Sequence, residues 1–214
     1  MRVAVNIVSA KKVAAKEKIE DLDEKRIVPK MMLRRRLTRN AKIMLYLADA
    51  CSFKGGKIIY GSAFGELHAT VGITNAIAEG TPISPTLFQN SVYNSAPSYF
   101  SLLNEDRDEI ITISSGMQTS KDALKSAALQ ALVSKERVLC VVSESLNIER
   151  IEEVNDCSEY LEAGAAVVLE VAEESTGAKE ISVGKNETII ASVHDIFTLV
   201  DMFESGDCKV FIEL

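Results

Sequence analysis

The side chains that could do chemistry are few, and their spacing limits what they can do. Four cysteines, Cys51, Cys140, Cys157 and Cys208, lie far apart with no C-x-x-C pair, and the only histidines are His68 and His194. A zinc site needs clustered thiolate and imidazole ligands, so no metal is expected. Cys140 falls inside the apolar run Val138–Val142, and Cys51 ends a helical run. Both read as inert core thiols. His68 follows Gly65–Glu66–Leu67 and reads as a structural or interface side chain. His194 opens a late helix as a cap or surface residue. Ser114 and Ser115 sit beside Gly116 at the end of a β-rich run, where a nucleophile can be presented. Gly61–Ser62–Ala63–Phe64–Gly65 has an outward likeness to the Gly-x-Ser-x-Gly turn of hydrolases, but its serine is one place too early. A triad at any of these serines would need a histidine and an acid converging on it.

Elements must position these groups. Arg2–Val8 alternates as a first strand, and the charge-rich Lys11–Glu24 reads as a solvated helix or loop. After the basic cluster Arg34–Arg39, Thr38 is placed to cap a helix over Ala41–Cys51. Lys57–Gly61 reads as a buried strand. Glu66–Glu79 reads as a helix with Leu67, Val71, Ile73, Thr74 and Ile77 on its apolar side and Gly80 past its end. Pro82 and Pro85 mark a loop. Thr86–Leu103 is helical in pattern, with Pro97 expected to bend or split it. Glu109–Ser115 reads as a strand, and Gly116 allows a tight turn into the amphipathic helix Ser120–Val133. Its Ala123, Leu124, Ala127, Ala128 and Ala131 suit close packing on a sheet. Arg137–Val142, Ala165–Val171, Glu180–Val183, Thr188–Ala191 and Lys209–Leu214 read as strands, and Val193–Glu204 as a helix. This alternation predicts one layered α/β domain over residues 1–214, with helices on a largely parallel sheet.

Composition removes whole classes of function. The net charge of −7 argues against a general nucleic-acid binder. Apolar runs such as Ala165–Leu169 are too short to span a bilayer. The chain enters an apolar alternation too early for a signal peptide, so a cytoplasmic protein is expected. Apolar residues at 47% supply a sizeable core without Trp.

Four short motifs occur in order: Arg34–Arg35–Arg36–Leu37–Thr38, Gly61–Ser–Ala–Phe–Gly–Glu–Leu–His68, Ser84–Pro–Thr–Leu–Phe88 and Ser91–Val–Tyr–Asn94. Together they resemble the N-terminal-half β-ketoacyl synthase-like proteins, the chain length factors of aryl polyene and type II polyketide-like synthases. The resemblance covers roughly residues 30–172. It implies an α/β, thiolase-like half-fold, layered with helices on a mostly parallel mixed sheet. In a condensing enzyme of this kind, a strand ends at a nucleophilic cysteine that starts a helix, and a second half, not recognised here, supplies histidines. The corresponding turn places Met117 at the nucleophile position, or Gln118 with an offset of one. A thioether cannot be acylated, and a carboxamide is a poor nucleophile. Tyr93 departs from the histidine common in the Ser–Val–His–Asn motif.

The resemblance therefore implies no catalytic residue and no cofactor. It implies a partner instead, an active β-ketoacyl synthase subunit in a heterodimer. The strand Ile110–Ser115, with Ile111, Ile113 and Ser115, would pair with that subunit. Phe88, Tyr93, Asn94 and Tyr99 would lie at the interface and limit its acyl tunnel, unless the aromatics fill this chain's own core. Arg34, Arg35 and Arg36 would steer an acidic acyl carrier protein transiently, unless they form a solvated surface. Two other readings stay open. One is a stand-alone module binding acyl carrier protein or acyl thioester. The other is an atypical acyltransferase or condensing enzyme using Ser115 or a cysteine thiol.

Overall fold

The computed structural model describes residues 1–148, 158–181 and 189–214. Seven strands form one mixed sheet: β1 (Arg2–Ala15), β2 (Lys57–Gly61), β3 (Ile110–Ile113), β4 (Val138–Ser145), β5 (Glu162–Val171), β6 (Lys179–Glu180) and β7 (Lys209–Glu213). Their order is β3-β2-β4-β5-β1-β7-β6. β2 runs parallel to β3 and β4, and β6 to β7, whereas β4–β5, β5–β1 and β1–β7 are antiparallel. Parallel and antiparallel neighbours are thus equal in number. Cys157 and residues 182, 183 and 188 of the expected strands Glu180–Val183 and Thr188–Ala191 lie outside the described residues; Glu180 ends β6, but residues 189–191 form no strand and instead lead into a short 3-10 turn.

Both faces of the sheet are covered by helices, which explains the unbroken apolar runs of β4 and β5 at its centre. On one face lie α7 (Thr119–Ser134) and α8 (His194–Glu204). The buried alanines Ala123, Ala127, Ala128 and Ala131 of α7 keep it close to the strands, and Ile196, Leu199 and Val200 of α8 extend the same core. On the other face lies α3 (Arg39–Ala50), burying Ile43, Met44 and Leu47 with Phe53 and Phe100. α3 crosses β5 so closely that a Cβ on Gly164 would lie 2.8 Å from Ile43 Cγ2. Thr38 caps α3 as expected, its hydroxyl accepting from the Ala41 amide at 3.0 Å.

Three expectations change. β1 does not stop at Val8 but continues to Ala15 along β5, past an irregularity between Ile7 and Ser9. Lysines disguise this stretch. Lys12 lies over the Phe197 ring and pairs with Asp201, so its stem covers the sheet while its charge stays outside. The helix expected over Thr86–Leu103 is two, α5 (Pro85–Asn90) and α6 (Ser95–Asn104). They part at Ser91–Asn94, upstream of Pro97, which sits in the first turn of α6 where its missing N–H is no loss. α4 (Leu67–Glu79) ends at Gly80 as expected, but its apolar side is not buried. Only Ala69 is buried there, Ile77 is exposed, and the main packing neighbour of α4 is α5. Two single-turn helices, α1 (Glu24–Ile27) and α2 (Met31–Arg34), complete the described helices. None is long and apolar enough to cross a membrane.

Candidate functional site

β3 is an edge strand, hydrogen-bonded to β2 on one side only. Ile111 and Ile113 pack on the α7 face of the sheet and Ile110 on the α3 face, as strand alternation requires. Beyond β3 the chain passes Ser114 and Ser115, turns at Gly116 with φ of +55°, and makes one 3-10 turn (Gly116–Gln118) into α7. Thr119 staples this turn: its buried hydroxyl accepts from the Ser115 amide at 3.0 Å and donates to the Gly116 carbonyl at 2.6 Å. Met117 and Gln118 therefore stand exposed at the head of α7. What they offer there is a thioether and an amide.

The other candidate nucleophiles differ in access: Ser115 is exposed at the turn, its amide held by Thr119, whereas most of the rest are engaged or buried. Ser62 is fully buried, donating to Glu144 and accepting from the Gly65 amide, both at 2.9 Å. The Ser114 hydroxyl donates to the Ala63 carbonyl at 3.4 Å. The Nε2 of His194 is engaged with the Ile189 carbonyl, and His68 is exposed on α4. Burial pushes the Cys51 thiol up to about 11 and the Cys140 thiol further. Cys208 is exposed. Among the described residues no cluster of His, Cys, Asp or Glu could hold a metal ion.

Two buried carboxyls beneath this surface were not singled out from the sequence. Glu144, on β4, is 1% exposed. Its Oε1 accepts from the Ala63 amide at 2.5 Å and the Ser192 hydroxyl at 2.9 Å, and its Oε2 from the Ser62 hydroxyl at 2.9 Å and the Phe64 amide at 3.3 Å. Burial raises it to about 6, against the lowering effect of these four donors. Glu66 precedes α4 and takes one hydrogen bond, from the Thr38 hydroxyl at 2.7 Å. A charge directly after the apolar run Val138–Val142, between Ser143 and Ser145, was the one sequence signal for Glu144.

The aromatic candidates fall into different environments. Tyr93 lies across Gly65, whose φ is +59° and where a Cβ would come 3.1 Å from the ring, and its hydroxyl donates to the Ala63 carbonyl at 3.3 Å. The Tyr99 hydroxyl lies 2.8 Å from the Arg36 carbonyl and 3.1 Å from Asn90 Oδ1, which ties this residue into its own chain. Phe88 is 69% exposed. Asn94 is exposed ahead of α6, and its carbonyl accepts from the Ser98 hydroxyl at 2.6 Å. Tyr93 and Asn94 meet β3 across an open groove of about 590 Å³, with Pro97, Ser98, Ile110, Thr112 and Ser114 along it. Phe88 and Tyr99 are not among its lining residues. Arg34 is spent inward on the Val28 carbonyl at 2.8 Å, while Arg35 and Arg36 are exposed.

The family described as beta-ketoacyl synthase, N-terminal domain, matches residues 9–194. No curated protein matches the sequence. Among solved structures, the chain is similar to one described as ketosynthase ApeO in complex with its chain length factor ApeC from Xenorhabdus doucetiae. The identity is 21%, the TM-score 0.64, and the match covers 79% of this chain and 80% of that one. The ishigamide ketosynthase/chain length factor is similar at 11% identity and TM-score 0.62, over 79% of this chain and 63% of that one. A beta-ketoacyl synthase from Burkholderia phymatum STM815 follows at 16% and 0.58, over 80% and 60%. The chain thus spans less than two thirds of the latter two. At these identities the likeness fixes the fold, a layered α/β arrangement of the thiolase-like ketosynthase type.

Proposed function

This chain belongs to the β-ketoacyl synthase N-terminal domain family, and from that premise we propose that it is a non-catalytic, chain-length-factor-like subunit that pairs with an active β-ketoacyl synthase. The observation that carries this is a conjunction at one edge. A bare strand, β3, faces the exposed Tyr93 across an open groove, and the turn following it carries Met117 and Gln118 but no cysteine. Phe88, Val92, Tyr93, Leu102 and Met117 are each more than 40% exposed. Open strand edges and large apolar side chains in water favour association. Burying a residue such as Phe88 on a partner contributes about 1.5–3 kcal/mol. Two structural neighbours are themselves described as ketosynthases with their chain length factors, which supports the same role.

In this reading Phe88 and Tyr93 face the partner and bound its acyl tunnel, whereas Tyr99 acts from behind by holding α5 and α6 together. Arg35 and Arg36 steer an acidic acyl carrier protein to the pair. The products belong to the aryl polyene, polyketide or fatty-acid-like class, made in the cytoplasm. Co-expression with a ketosynthase encoded beside it should give a co-purifying heterodimer in which Phe88→Ala lengthens the products. Incubation with an acyl thioester should leave the intact mass of this subunit unchanged. A chain that stays monomeric beside every ketosynthase, or one that gains an acyl adduct, overturns the proposal.

A further inference from the structure

Glu66 is 6% exposed and appears in no ion pair among the described residues. A buried carboxylate normally recruits a cation or several donors. Here one donor is described, the Thr38 hydroxyl, which also accepts from the Ala41 amide as the cap of α3. The peptide unit before Glu66 is gripped as well: the Gly65 carbonyl accepts from Asn40 Nδ2 at 2.8 Å. The other end of that amide, Asn40 Oδ1, is buried with no partner among the described residues. A buried acceptor on the side chain that grips the 65–66 peptide is thus left without a donor, and the Glu66 carboxylate has a single one. The titratable groups that feel Glu66 from neighbouring elements are phenols, Tyr60 on β2 and Tyr99 on α6, and both are raised in part by its charge. Glu144 grips the same turn directly, through the Ser62 hydroxyl and the Ala63 and Phe64 amides, and also acts on Tyr60, while Arg36 acts on Tyr99, so only the pH-dependent loss that Glu66→Gln removes is ascribed to Glu66. Arg39, next to the cap, is committed to Glu162.

We propose that Glu66 is a positioning residue for the partner face: uncharged, it holds the 62–66 turn closed beneath Tyr93, and on ionising it draws water in and releases both. The turn is the seat of Tyr93, whose ring covers Gly65 and whose hydroxyl reaches Ala63, and it also receives Ser114 from the end of β3. A shift at Glu66 therefore reaches α6 and β3 together. Burial raises the Glu66 carboxyl to about 7, opposed only by the Thr38 hydrogen bond. The device thus switches near neutral pH. This inference rests on the pairing proposed above for its consequence, but not for its mechanism.

The test has two arms. In the isolated chain, hydrogen exchange of residues 62–66 and 91–95, corrected for intrinsic rates, should lose about tenfold in protection between pH 6 and pH 8, as linkage to a group at about 7 requires. Glu66→Gln, which keeps the shape without the charge, should remove that loss. Wild-type protection that stays level, or a Gln variant that loses the same tenfold, overturns the inference. If Glu66→Gln does not fold, carbon-13 titration of the wild-type glutamates decides, and a Glu66 carboxyl titrating below pH 5.5 refutes it. In the complex, the wild-type dissociation constant for the ketosynthase should rise about tenfold over the same range, and that of Glu66→Gln should not. Equal pH dependence in the two also refutes the inference. A chain that binds no ketosynthase fails the pairing proposal, while the exchange arm still judges Glu66.

Discussion

Removing the Glu144 carboxylate should unfasten the turn after β2, and the size of the loss follows from its partners. Glu144→Ala strands the Ala63 and Phe64 amides, which cannot turn to find other acceptors, while Ser62 and Ser192 can rotate. Two stranded amides at about 1–3 kcal/mol each, without counting the vacated space, put the loss at about 4 kcal/mol. Glu144→Gln keeps one acceptor oxygen. Its amide nitrogen settles toward Phe64, whose bond is the longer at 3.3 Å, and one amide is stranded rather than two. About 2 kcal/mol should be lost. The pH dependence has a definite sign. A carboxyl raised from 4.5 to about 6 in the folded chain stabilises most fully below 4.5, and the advantage is lost as pH rises through 6. The change amounts to about 2 kcal/mol, so the deficit of Glu144→Gln relative to wild type should shrink by that much between pH 3.5 and pH 7.5. Urea unfolding followed by far-ultraviolet circular dichroism measures all of this. A Glu144→Ala variant within about 1 kcal/mol of wild type would refute the reasoning.

Thr38→Ala removes both the α3 cap and the one described donor to Glu66, and should cost about 1–2 kcal/mol in the same assay. Gly164→Ala places a methyl group 2.8 Å from Ile43 Cγ2, where β5 passes under α3, and should cost about 1–3 kcal/mol by overpacking. Arg39→Ala leaves Glu162, 1% exposed and also bonded to the Ile19 amide and Ser145, without its cation, for a loss of about 3–5 kcal/mol. Phe88→Ala, by contrast, should leave the isolated chain within about 0.5 kcal/mol of wild type, because that ring already stands in water. Thermal or urea melting of the purified chain checks each.

Local pattern carried the elements whose partners are close or whose faces are covered. β2 was read with its observed bounds, and α7 to within a residue, because the alanine spacing of α7 reports one buried face. Family resemblance added the fold type and the elbow between β3 and α7. Elements defined by distant partners were harder to see. The second half of β1 looks like charged loop because its neighbours along β5 lie about 150 residues further on. α4 was read as a helix correctly, but its periodic apolar side has no cover in the isolated chain. Hydrophobic periodicity reports that a face needs burial, not what buries it. Glu66 and Glu144 escaped notice for a related reason. A carboxylate looks solvent-seeking in a sequence, and the donors that hold these two come from Thr38, the 62–64 turn and Ser192, distant points of the chain.

β1 is stitched to β7 over Arg2–Asn6 and to β5 over Val5–Ala15, so the first strand synthesised finds its hydrogen-bonding neighbours only late in the chain. Closing loops of that length is entropically slow, and an interior assembled this way sets late. During translation the earlier β2–β3 ridge would wait on an unfinished sheet with its outer edge open. Such an order of events leaves that edge uncovered until the last strands of the sheet have been made.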